Sequence, residues 1–300
     1  MRRRLLGHTA LSVSELGLGT ASLGADYGIA AEGEFGRPTS LAAVRLVREA
    51  VEHGITFFDT APGYGESERL LGRALAGRDG CVVATKVTVS SDARASVEAS
   101  LRALQREALD IVQIHNATED ALARGEILAT LRDLVREGKA RFVGATVYTE
   151  AEALAAIQAG VDVLQVAHNI LDRRMAARIF PAASAAGVGV VLRSAFLKGA
   201  LTEKAEWLPL ELAELRRAAE QARDHIAGSW EALPGAALRF CLSEPRAACV
   251  LTGARTLAEL EHALAAAEAG PLEDELLARV AELEVADERL LNPASWTAVA

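Results

Sequence analysis

The sequence predicts an α/β fold, a single (β/α)8 TIM barrel with a late helical insertion and C-terminal helices. Three observations indicate this fold class. Short runs that are apolar throughout recur eight times, segments with helical spacing of apolar residues separate them, and 300 residues is a typical length for such a barrel. No linker, charge block or low-complexity tract divides the chain, so residues 1–300 are expected to form one domain. An open, doubly wound sheet is the alternative, but no G-x-G-x-x-G follows the first strand.

Each predicted strand is an apolar run that ends at a polar residue or a glycine. The strands are predicted over 13–18, 55–58, 81–84, 109–114, 141–143, 161–166, 188–192 and 248–251. Helices between them are predicted over 41–53, 66–76, 93–106, 119–137, 149–159 and 173–186. The late insertion is predicted to contain helices over 209–227 and 230–243, and the C-terminal helices are predicted over 256–267 and 272–286. Residues 21–39 are predicted to form a loop because they are rich in glycine and lack periodic apolar positions.

Composition argues against several classes of partner. The net charge of −9 argues against a nucleic-acid or anionic-membrane partner, and no apolar run is long enough to span a membrane. Gly7 and His8 interrupt the segment after the basic cluster of residues 2–4, so we expect no signal peptide. The three widely spaced cysteines predict reduced thiols in a cytoplasmic protein, and no His/Cys/Asp spacing indicates a metal site. The sequence does not define the oligomeric state.

Four ionisable side chains follow consecutive predicted strands. Asp59 ends the second strand and Tyr64 lies just beyond it, Lys86 follows the third strand, and His115 follows the fourth. The C-terminal ends of barrel strands face one mouth, so these side chains are expected to converge there. Any one of them alone would be an ordinary loop residue, whereas the set in register indicates a catalytic site.

The four residues together predict carbonyl chemistry. A lysine ammonium beside a phenol favours the phenolate, and a buried lysine needs a counter-charge, which Asp59 can provide. His115 can hold a substrate carbonyl oxygen beside Tyr64, which then protonates that oxygen as a hydride reaches the carbon. None of the four supplies a hydride, so a reduced nicotinamide is required.

The segments FFDTAPGYGESERLLGRAL, VVATKV and DIVQIHN resemble the catalytic tetrad motifs of the aldo-keto reductase family. SVSELGLGT, LVREGKARFVGA, LQVAHNILDRR and TGARTLAEL resemble that family too, in the right order and over nearly the whole chain. The resemblance implies a (β/α)8 barrel, an NAD(P)H cofactor bound across the mouth, and interconversion of a small-molecule carbonyl and its alcohol. Sugar-like or other polar carbonyl substrates are expected because the pocket-forming loops contain few aromatic residues.

The resemblance assigns cofactor contacts unevenly. Gln165 matches the glutamine that binds the nicotinamide carboxamide, and Asn169 matches a structural asparagine. Thr146 can replace a family serine, but Val147 cannot replace the asparagine that follows it. Arg193 stands where the family often stacks a tyrosine on the nicotinamide. The loop that wraps the pyrophosphate is matched by Ser194, Phe196 and Lys198.

The C-terminal cofactor motif both matches and departs from the family. Gly253 and Arg255 match, and Arg255 is the candidate contact for a 2′-phosphate or the adenine. Glu259 replaces a glutamine, and its carboxylate favours NAD, whereas Arg255 favours NADP. His262 and Ala263 replace the Glu-Asn pair that the family places on the adenine. Because most of the family uses NADP(H), we expect NADP(H) rather than NAD(H).

The predicted function is an NAD(P)H-dependent carbonyl reductase or alcohol dehydrogenase. Two alternatives stay open at this stage, namely a cofactor-binding regulatory or sensor subunit with little turnover, and a non-redox, elimination-type reaction at the same site. The altered nicotinamide and adenine contacts favour the sensor, and the intact tetrad argues against it. Further candidates for the pocket are Asp26, Tyr27, His168, Trp207 and Trp296.

Overall fold

A computed structural model describes residues 1–31 and 36–296 and contains a closed barrel of eight parallel strands. An antiparallel hairpin of β1 (Arg3–Leu5) and β2 (Ser12–Ser14) precedes the barrel. The barrel strands are β3 (Leu16–Gly19), β4 (Phe57–Asp59), β5 (Val82–Thr88), β6 (Leu109–His115), β7 (Ala140–Val147), β8 (Val163–Ala167), β9 (Gly189–Arg193) and β10 (Ala247–Gly253). They pair in chain order, and β10 closes the ring by pairing with β3. The predicted (β/α)8 barrel is therefore confirmed.

The N-terminal hairpin closes one end of the barrel interior. Leu6, Leu11 and Val13 are buried in one apolar cluster with inward-facing strand residues. Leu6 packs directly on β9, where a Cβ atom added at Gly189 would lie 2.7 Å from Leu6 Cγ. The interior is a packed core at this end, so chemistry is confined to the opposite end, where the strands finish.

The basic N-terminal cluster takes part in the fold. Arg4 donates hydrogen bonds to the backbone oxygens of Leu242 (3.1 Å), Glu244 (3.0 Å) and Ala247 (2.8 Å). Arg2 and Arg4 also form ion pairs with the buried Glu15 at 2.9 Å and 3.3 Å. These contacts tie the hairpin to the segment that leads into β10.

Helices surround the barrel, and several begin at a polar side chain that accepts a hydrogen bond from the first turn, as Thr39, Asp92, Thr118, Thr149 and Thr256 do. The helices are α1 (Ala21–Gly24), α2 (Ser40–Glu52), α3 (Ser67–Leu75), α4 (Ala93–Leu104), α5 (Glu119–Arg124), α6 (Glu126–Arg136), α7 (Glu150–Gln158), α8 (Ile179–Ala185), α9 (Ala213–Ala222), α10 (Leu233–Leu242), α11 (Leu257–Ala269) and α12 (Asp274–Ala281). Their apolar faces pack on the outward-facing strand residues in the main core. Within the described part of the chain, no helix is both long enough and apolar enough to cross a membrane.

Two predicted elements are divided in the structure. The prediction of one strand over 13–18 was wrong, because Ser12–Ser14 belongs to the hairpin and Leu16–Gly19 to the barrel. The Ser14 hydroxyl donates to the backbone oxygen of Leu16 at 2.6 Å and marks the junction. The predicted helix over 119–137 is split at Gly125, whose φ of 72° is left-handed and ends α5.

Other helices are shorter than predicted. The helix over 173–186 is reduced to α8, residues 174–178 form turns, and side-chain bonds hold the segment just before them. Asn169 Oδ1 accepts from the backbone N–H groups of Leu171 and Asp172, both at 2.9 Å. The helix over 209–227 instead comprises a 3₁₀ turn at Leu210–Leu212, then α9, then a wide π turn at Arg223–Ala227. The helices predicted over 230–243 and 272–286 are the shorter α10 and α12, and the loop predicted over 21–39 begins with the single turn α1.

Candidate active site

Asp59, Lys86 and His115 lie at the same end of three neighbouring strands. Asp59 is the last residue of β4 and His115 is the last residue of β6, while Lys86 lies two residues before the end of β5. Parallel pairing aligns Asp59 with Ala84 and Lys86 with Gln113. A carboxylate, an ammonium and an imidazole therefore meet at the C-terminal mouth of the barrel.

Lys86 is the centre of this group. Its Nζ donates hydrogen bonds to Asp59 Oδ2 at 2.6 Å and to the backbone oxygen of Thr60 at 2.8 Å, and it lies 4.7 Å from the centroid of the Tyr64 ring. Burial to 1% exposure would by itself lower the pKa of Lys86. Electrostatic attraction to Asp59 and Tyr64, together with hydrogen bonds to both, outweighs that effect, and the pKa of Lys86 is raised above its ordinary value. Lys86 is therefore an ammonium ion held beside the phenol.

The loop that carries Tyr64 is docked on the turn at Gly24. A Cβ atom at Gly24 would lie 2.1 Å from the backbone oxygen of Tyr64 and 2.4 Å from the backbone nitrogen of Ser67. Gly65 has a left-handed φ of 59°, and the next residue, Glu66, donates its N–H to the backbone oxygen of Gly24 at 3.3 Å. Two glycines thus allow the close backbone contact that positions Tyr64.

Hydroxyl groups fix both ends of the same loop. The Ser67 hydroxyl donates to the backbone oxygen of Thr20 at 3.0 Å, and the Thr60 hydroxyl lies 3.0 Å from Ser67 Oγ. The Thr20 hydroxyl donates to the backbone oxygen of Asp59 at 2.9 Å. The end of β4 and the first turn of α3 are therefore connected through buried hydrogen bonds.

His115 faces Tyr64 across the mouth. The two ring centroids are 6.1 Å apart and the ring planes are perpendicular. Burial, followed by the positive charge of Lys86, lowers the pKa of His115 to about 4. His115 is consequently neutral near pH 7, where its single ring N–H can donate a hydrogen bond without carrying charge.

A polar layer of three side chains lies beneath this group, inside the barrel. Gln113 of β6 and Gln165 of β8 both donate through Nε2 to Asp59 Oδ1, at 3.2 Å and 2.8 Å. Gln165 Nε2 also lies 3.3 Å from Gln113 Oε1. Sequence reasoning missed Gln113, although strand alternation contains a signal, since Gln113 lies two residues before His115 and on the same face of β6.

A cavity of about 740 Å³ opens over the mouth and continues to α11. The tetrad, defined as Asp59, Tyr64, Lys86 and His115, lines it. The nine residues that the resemblance assigned to the cofactor line it too, namely Thr146, Gln165, Arg193, Ser194, Phe196, Lys198, Gly253, Arg255 and Glu259. The structure therefore brings together thirteen residues that are spread over some 200 positions of the sequence.

A second cavity of about 610 Å³ lies at the opposite end of the barrel, near Cys81. Asp110 in its wall accepts hydrogen bonds from Arg106 and Arg141, both at 2.8 Å, and from the backbone N–H of Val83 at 2.9 Å. These charged groups satisfy one another and join β5, β6 and β7. The cavity lined by the tetrad is therefore the candidate active site.

Arg193 occupies a fixed position in the cavity wall. Its guanidinium carbon lies 4.2 Å from the centroid of the Tyr148 ring, which is a cation–π contact. It also donates to the backbone oxygen of Val147 at 3.0 Å and to Ser194 Oγ at 3.2 Å. The Val147 side chain is buried in the core between strands and helices, so position 147 contributes a backbone oxygen to this arrangement.

The loop after β9 has an unusual backbone. Ser194, Leu197 and Lys198 have left-handed φ angles of 62°, 45° and 58° although none is glycine. Such residues cost about 1–3 kcal/mol each unless their surroundings hold them, and they cluster at ligand-binding sites. Asn169 Nδ2 donates to the backbone oxygen of Ser194 at 3.0 Å, which gives the matched asparagine a structural role.

The far end of the cavity lies at the start of α11. Glu259 accepts the backbone N–H of Arg255 through Oε2 at 2.6 Å, and its Oε1 lies 3.5 Å from Arg255 Nη2. His262 and Ala263, which depart from the family motif, also line this end. A guanidinium, a carboxylate and an imidazole therefore line the cavity at the start of α11.

The structure adds cavity residues that the sequence did not indicate, Asn116, Tyr148 and Trp230. Asn116 follows His115 directly and has a left-handed φ of 52°. Its backbone N–H donates to Thr146 Oγ1 at 2.8 Å, and that hydroxyl donates to Asn116 Oδ1 at 3.5 Å. Thr146 thus holds Asn116 at the rim, and the amide group of Asn116 borders the space in front of His115.

Of the five further pocket candidates from the sequence, one lines the cavity and four do not. Tyr27 lines the cavity, whereas Asp26 accepts the backbone N–H of Arg37 at 3.0 Å outside it. His168 packs in the core against Phe240, with ring centroids 5.0 Å apart. Trp207 is exposed, and Trp296 is buried with its indole N–H bonded to the backbone oxygen of Leu290 at 3.1 Å.

The described residues form no metal-binding cluster, and their thiols are buried. In residues 1–31 and 36–296, no three His, Cys, Asp or Glu side chains come together as a metal-binding group. The three cysteines, Cys81, Cys241 and Cys249, are free and buried. Burial raises the pKa of each thiol.

Comparisons with known proteins agree with the fold. The model of the aldo/keto reductase family matches residues 15–285. L-galactose dehydrogenase of Arabidopsis thaliana is 33% identical over 88% of this chain and 87% of its own length. The NADH-specific methylglyoxal reductase of Escherichia coli is 30% identical over 67% of this chain and 69% of its own length. The solved holo form of aldo-keto reductase AKR11C1 from Bacillus halodurans superposes with a TM-score of 0.79 at 28% identity, covering 96% of this chain and 97% of that one.

The barrel, the residues at its mouth and these matches define an NAD(P)-dependent oxidoreductase. The chain belongs to the aldo/keto reductase family.

The cavity lining fits the nicotinamide dinucleotide that this family uses. A volume of about 740 Å³ lies within the range of cofactor pockets. Gln165 presents an amide at the Tyr64 end, and the cationic side chains of Lys198 and Arg255 line the remainder. Thr252 Oγ1 is buried in this wall without a hydrogen-bond partner among the described residues, as expected where a polar ligand completes a site.

Proposed function

We propose that this protein is a carbonyl reductase and alcohol dehydrogenase in which Tyr64 is the general acid. One observation carries the proposal. The Lys86 ammonium, paired with Asp59 at 2.6 Å, lies 4.7 Å from the Tyr64 ring, and neutral His115 faces the same ring. A phenol with a fixed cation beside it and a neutral donor opposite is suited to protonating a carbonyl oxygen.

Each residue has a separate task in this mechanism. The bound reduced nicotinamide supplies the hydride. His115 donates its ring N–H to the substrate oxygen and orients it toward Tyr64. Tyr64 transfers its phenolic proton to that oxygen, and Lys86 stabilises the phenolate that remains. Asp59 keeps Lys86 charged and in place, and in the oxidative direction Tyr64 takes the proton back.

The proposed substrates are small hydroxylated aldehydes and ketones, including sugar-like compounds. The cavity that His115 lines also contains polar side chains, among them the amide of Asn116 and the phenols of Tyr27 and Tyr148. These groups can hydrogen-bond hydroxyls near the reacting carbonyl, whereas an apolar carbonyl would leave them unpaired. The name of the relative L-galactose dehydrogenase supports a sugar-like substrate.

We propose NADP(H) in preference to NAD(H). Arg255 lines the far end of the cavity, and a guanidinium can bind a 2′-phosphate through two parallel hydrogen bonds. Glu259 is engaged mainly by the backbone N–H of Arg255 at 2.6 Å, and its contact with the guanidinium is long at 3.5 Å. Separate calorimetric titrations with NADPH and NADH test this preference, and tenfold tighter binding of NADH would refute it.

Turnover of a carbonyl panel tests the reaction and the role of Tyr64. The panel contains methylglyoxal, glyceraldehyde and propanal with NADPH or NADH, and L-galactose with the oxidised cofactors. Tyr64→Phe should lower kcat by about 10²–10⁴-fold while cofactor affinity stays within a few-fold, because only the proton donor is removed. Equal rates in both proteins would exclude the general-acid role. Cofactor binding without turnover of any substrate would support a regulatory or sensor subunit instead.

A further inference from the structure

The Asp59 carboxylate accepts hydrogen bonds from two amide groups as well as from the Lys86 ammonium. Its Oδ2 accepts from Lys86, and its Oδ1 accepts from the Nε2 groups of Gln113 and Gln165. All four side chains are buried, with Gln113 at 1% and Gln165 at 2% exposure. Both oxygens of the carboxylate are therefore engaged by donors on three other strands.

The carboxylate dictates which way the amides point. A carboxylate accepts hydrogen bonds and donates none, so an amide oxygen turned toward Asp59 would be repelled. Gln113 must present its nitrogen to Asp59, which leaves its Oε1 to accept from Gln165 Nε2 at 3.3 Å. The nitrogen of Gln165 is consequently held by two acceptors, Asp59 Oδ1 and Gln113 Oε1.

The amide oxygen of Gln165 is available to accept a hydrogen bond from a ligand in the cavity. No described residue donates a hydrogen bond to Gln165 Oε1, and Gln165 lines the cavity whereas Gln113 does not. Because the nitrogen is fixed inward, the oxygen is presented as a pure acceptor. That acceptor suits a ligand group with N–H donors, such as a primary carboxamide.

We propose that Gln113 is a positioning residue that, as the second acceptor beside Asp59, holds the amide orientation of Gln165 and so strengthens the selectivity of the site for a cofactor bearing a primary carboxamide. Gln113 acts without touching the ligand. This inference rests on the proposed nicotinamide-dependent function and adds a buried residue to it. Without Gln113, the nitrogen of Gln165 keeps only Asp59 Oδ1 as an inward acceptor, so the amide is held by one hydrogen bond and its oxygen is positioned less firmly toward the ligand.

Two cofactors that differ in one group test the inference. NADPH has a carboxamide, and the reduced 3-acetylpyridine analogue has a methyl ketone without N–H donors. Dissociation constants are measured calorimetrically for wild type, Gln113→Met, Gln165→Met and the double variant. Gln113→Met keeps the side-chain length and removes both amide bonds, and Gln113→Asn is a second variant whose shorter amide does not reach Gln165.

The wild type should bind the carboxamide form about tenfold more tightly than the acetyl form, which corresponds to one buried hydrogen bond. Gln113→Met should reduce this ratio to below about threefold by weakening the carboxamide form alone. Binding of the acetyl form at its wild-type strength shows that the variant is folded. The double variant should match Gln165→Met, because Gln113 acts through Gln165.

Retention of the tenfold ratio in both Gln113 variants, or independent additive losses in the double variant, would overturn the inference. A wild type that binds neither cofactor would refute the proposed function itself, and the inference with it. The two failures are thus distinguished by the wild-type titration.

Discussion

Replacement of Gly24 by alanine tests whether backbone packing places Tyr64. The added Cβ would lie 2.1 Å from the backbone oxygen of Tyr64 and 2.4 Å from the backbone nitrogen of Ser67. Contacts of Cβ atoms shorter than 3.0 Å are essentially never found, so the Tyr64 loop must retreat by about 1 Å. Neither contacted atom belongs to a flexible side chain, so rotation of a rotamer cannot relieve the overlap.

The size of the effect follows from that displacement. Misplacing a reacting group by about 1 Å costs about 10²-fold in rate, so kcat of Gly24→Ala should fall by about 10². Overpacking of this kind also destabilises a fold by about 1–3 kcal/mol. Gly24 itself does not line the cavity, so cofactor affinity should remain within about threefold of wild type.

Gly63→Ala is the matched control for Gly24→Ala. Gly63 lies in the same loop, but a Cβ there would have no atom within 4 Å. Steady-state kinetics on the best substrate of the panel, calorimetric titration with cofactor and urea unfolding should be run on both variants. The reasoning is wrong if Gly24→Ala keeps kcat within twofold of wild type, or if Gly63→Ala loses as much activity.

Two further predictions concern His8 and Asn116. His8 Nδ1 faces the backbone oxygen of Gly187 at 2.8 Å and Nε2 faces Asp162 at 2.9 Å, so both nitrogens donate only in the protonated ring, and the bond to Asp162 raises its pKa. The stabilisation of the fold by the protonated His8 ring is present below about pH 6.5 and is lost as the pH rises through the folded-state pKa of His8. The His8 side chain is half-exposed, so the free energy of unfolding, measured with urea, should be lower at pH 8.5 than at pH 5.5 by less than about 1 kcal/mol. This difference should be absent in His8→Gln, and an equal pH dependence in wild type and His8→Gln would contradict the prediction. Asn116→Gly keeps the left-handed backbone and removes the amide, so kcat/KM should fall about tenfold for glyceraldehyde and less than twofold for propanal, and equal losses would exclude hydroxyl recognition.

Most of the fold follows from local signals in the sequence. Eight mainly apolar runs and their polar ends define the barrel strands, because strands covered on both faces need mostly apolar side chains. The N-terminal hairpin was missed because no glycine or proline marks the junction between Ser14 and Leu16, and only the partner strand Arg3–Leu5 separates the two halves of the run over 13–18. The break at Gly125 and the turns around Asn169 depend on single hydrogen bonds and backbone angles, which periodicity does not report.

The convergence of Asp59, Lys86 and His115 could be predicted because each lies at or near a strand end, and barrel topology then brings the strand ends together. The contact between Arg193 and Tyr148 could not, because β7 and β9 are separated by β8 and meet only across the mouth. The role of Gln113 could be predicted only in part. Alternation along β6 places it inside the barrel, but its partners are on β4 and β8, two strands away on either side. Such contacts depend on the closed ring and not on any local pattern.

The buried charges at the mouth cost stability and fix the charge distribution there. A buried ion pair such as Lys86–Asp59 adds little net stability, because desolvation offsets the attraction between the charges. The donors from Gln113 and Gln165 occupy the second carboxylate oxygen and prevent Asp59 from rotating away from Lys86. The Lys86 ammonium held in this way lies beside the Tyr64 ring and helps to keep His115 neutral. One carboxylate, secured from three strands, thereby holds the ammonium beside both groups that would meet the carbonyl oxygen.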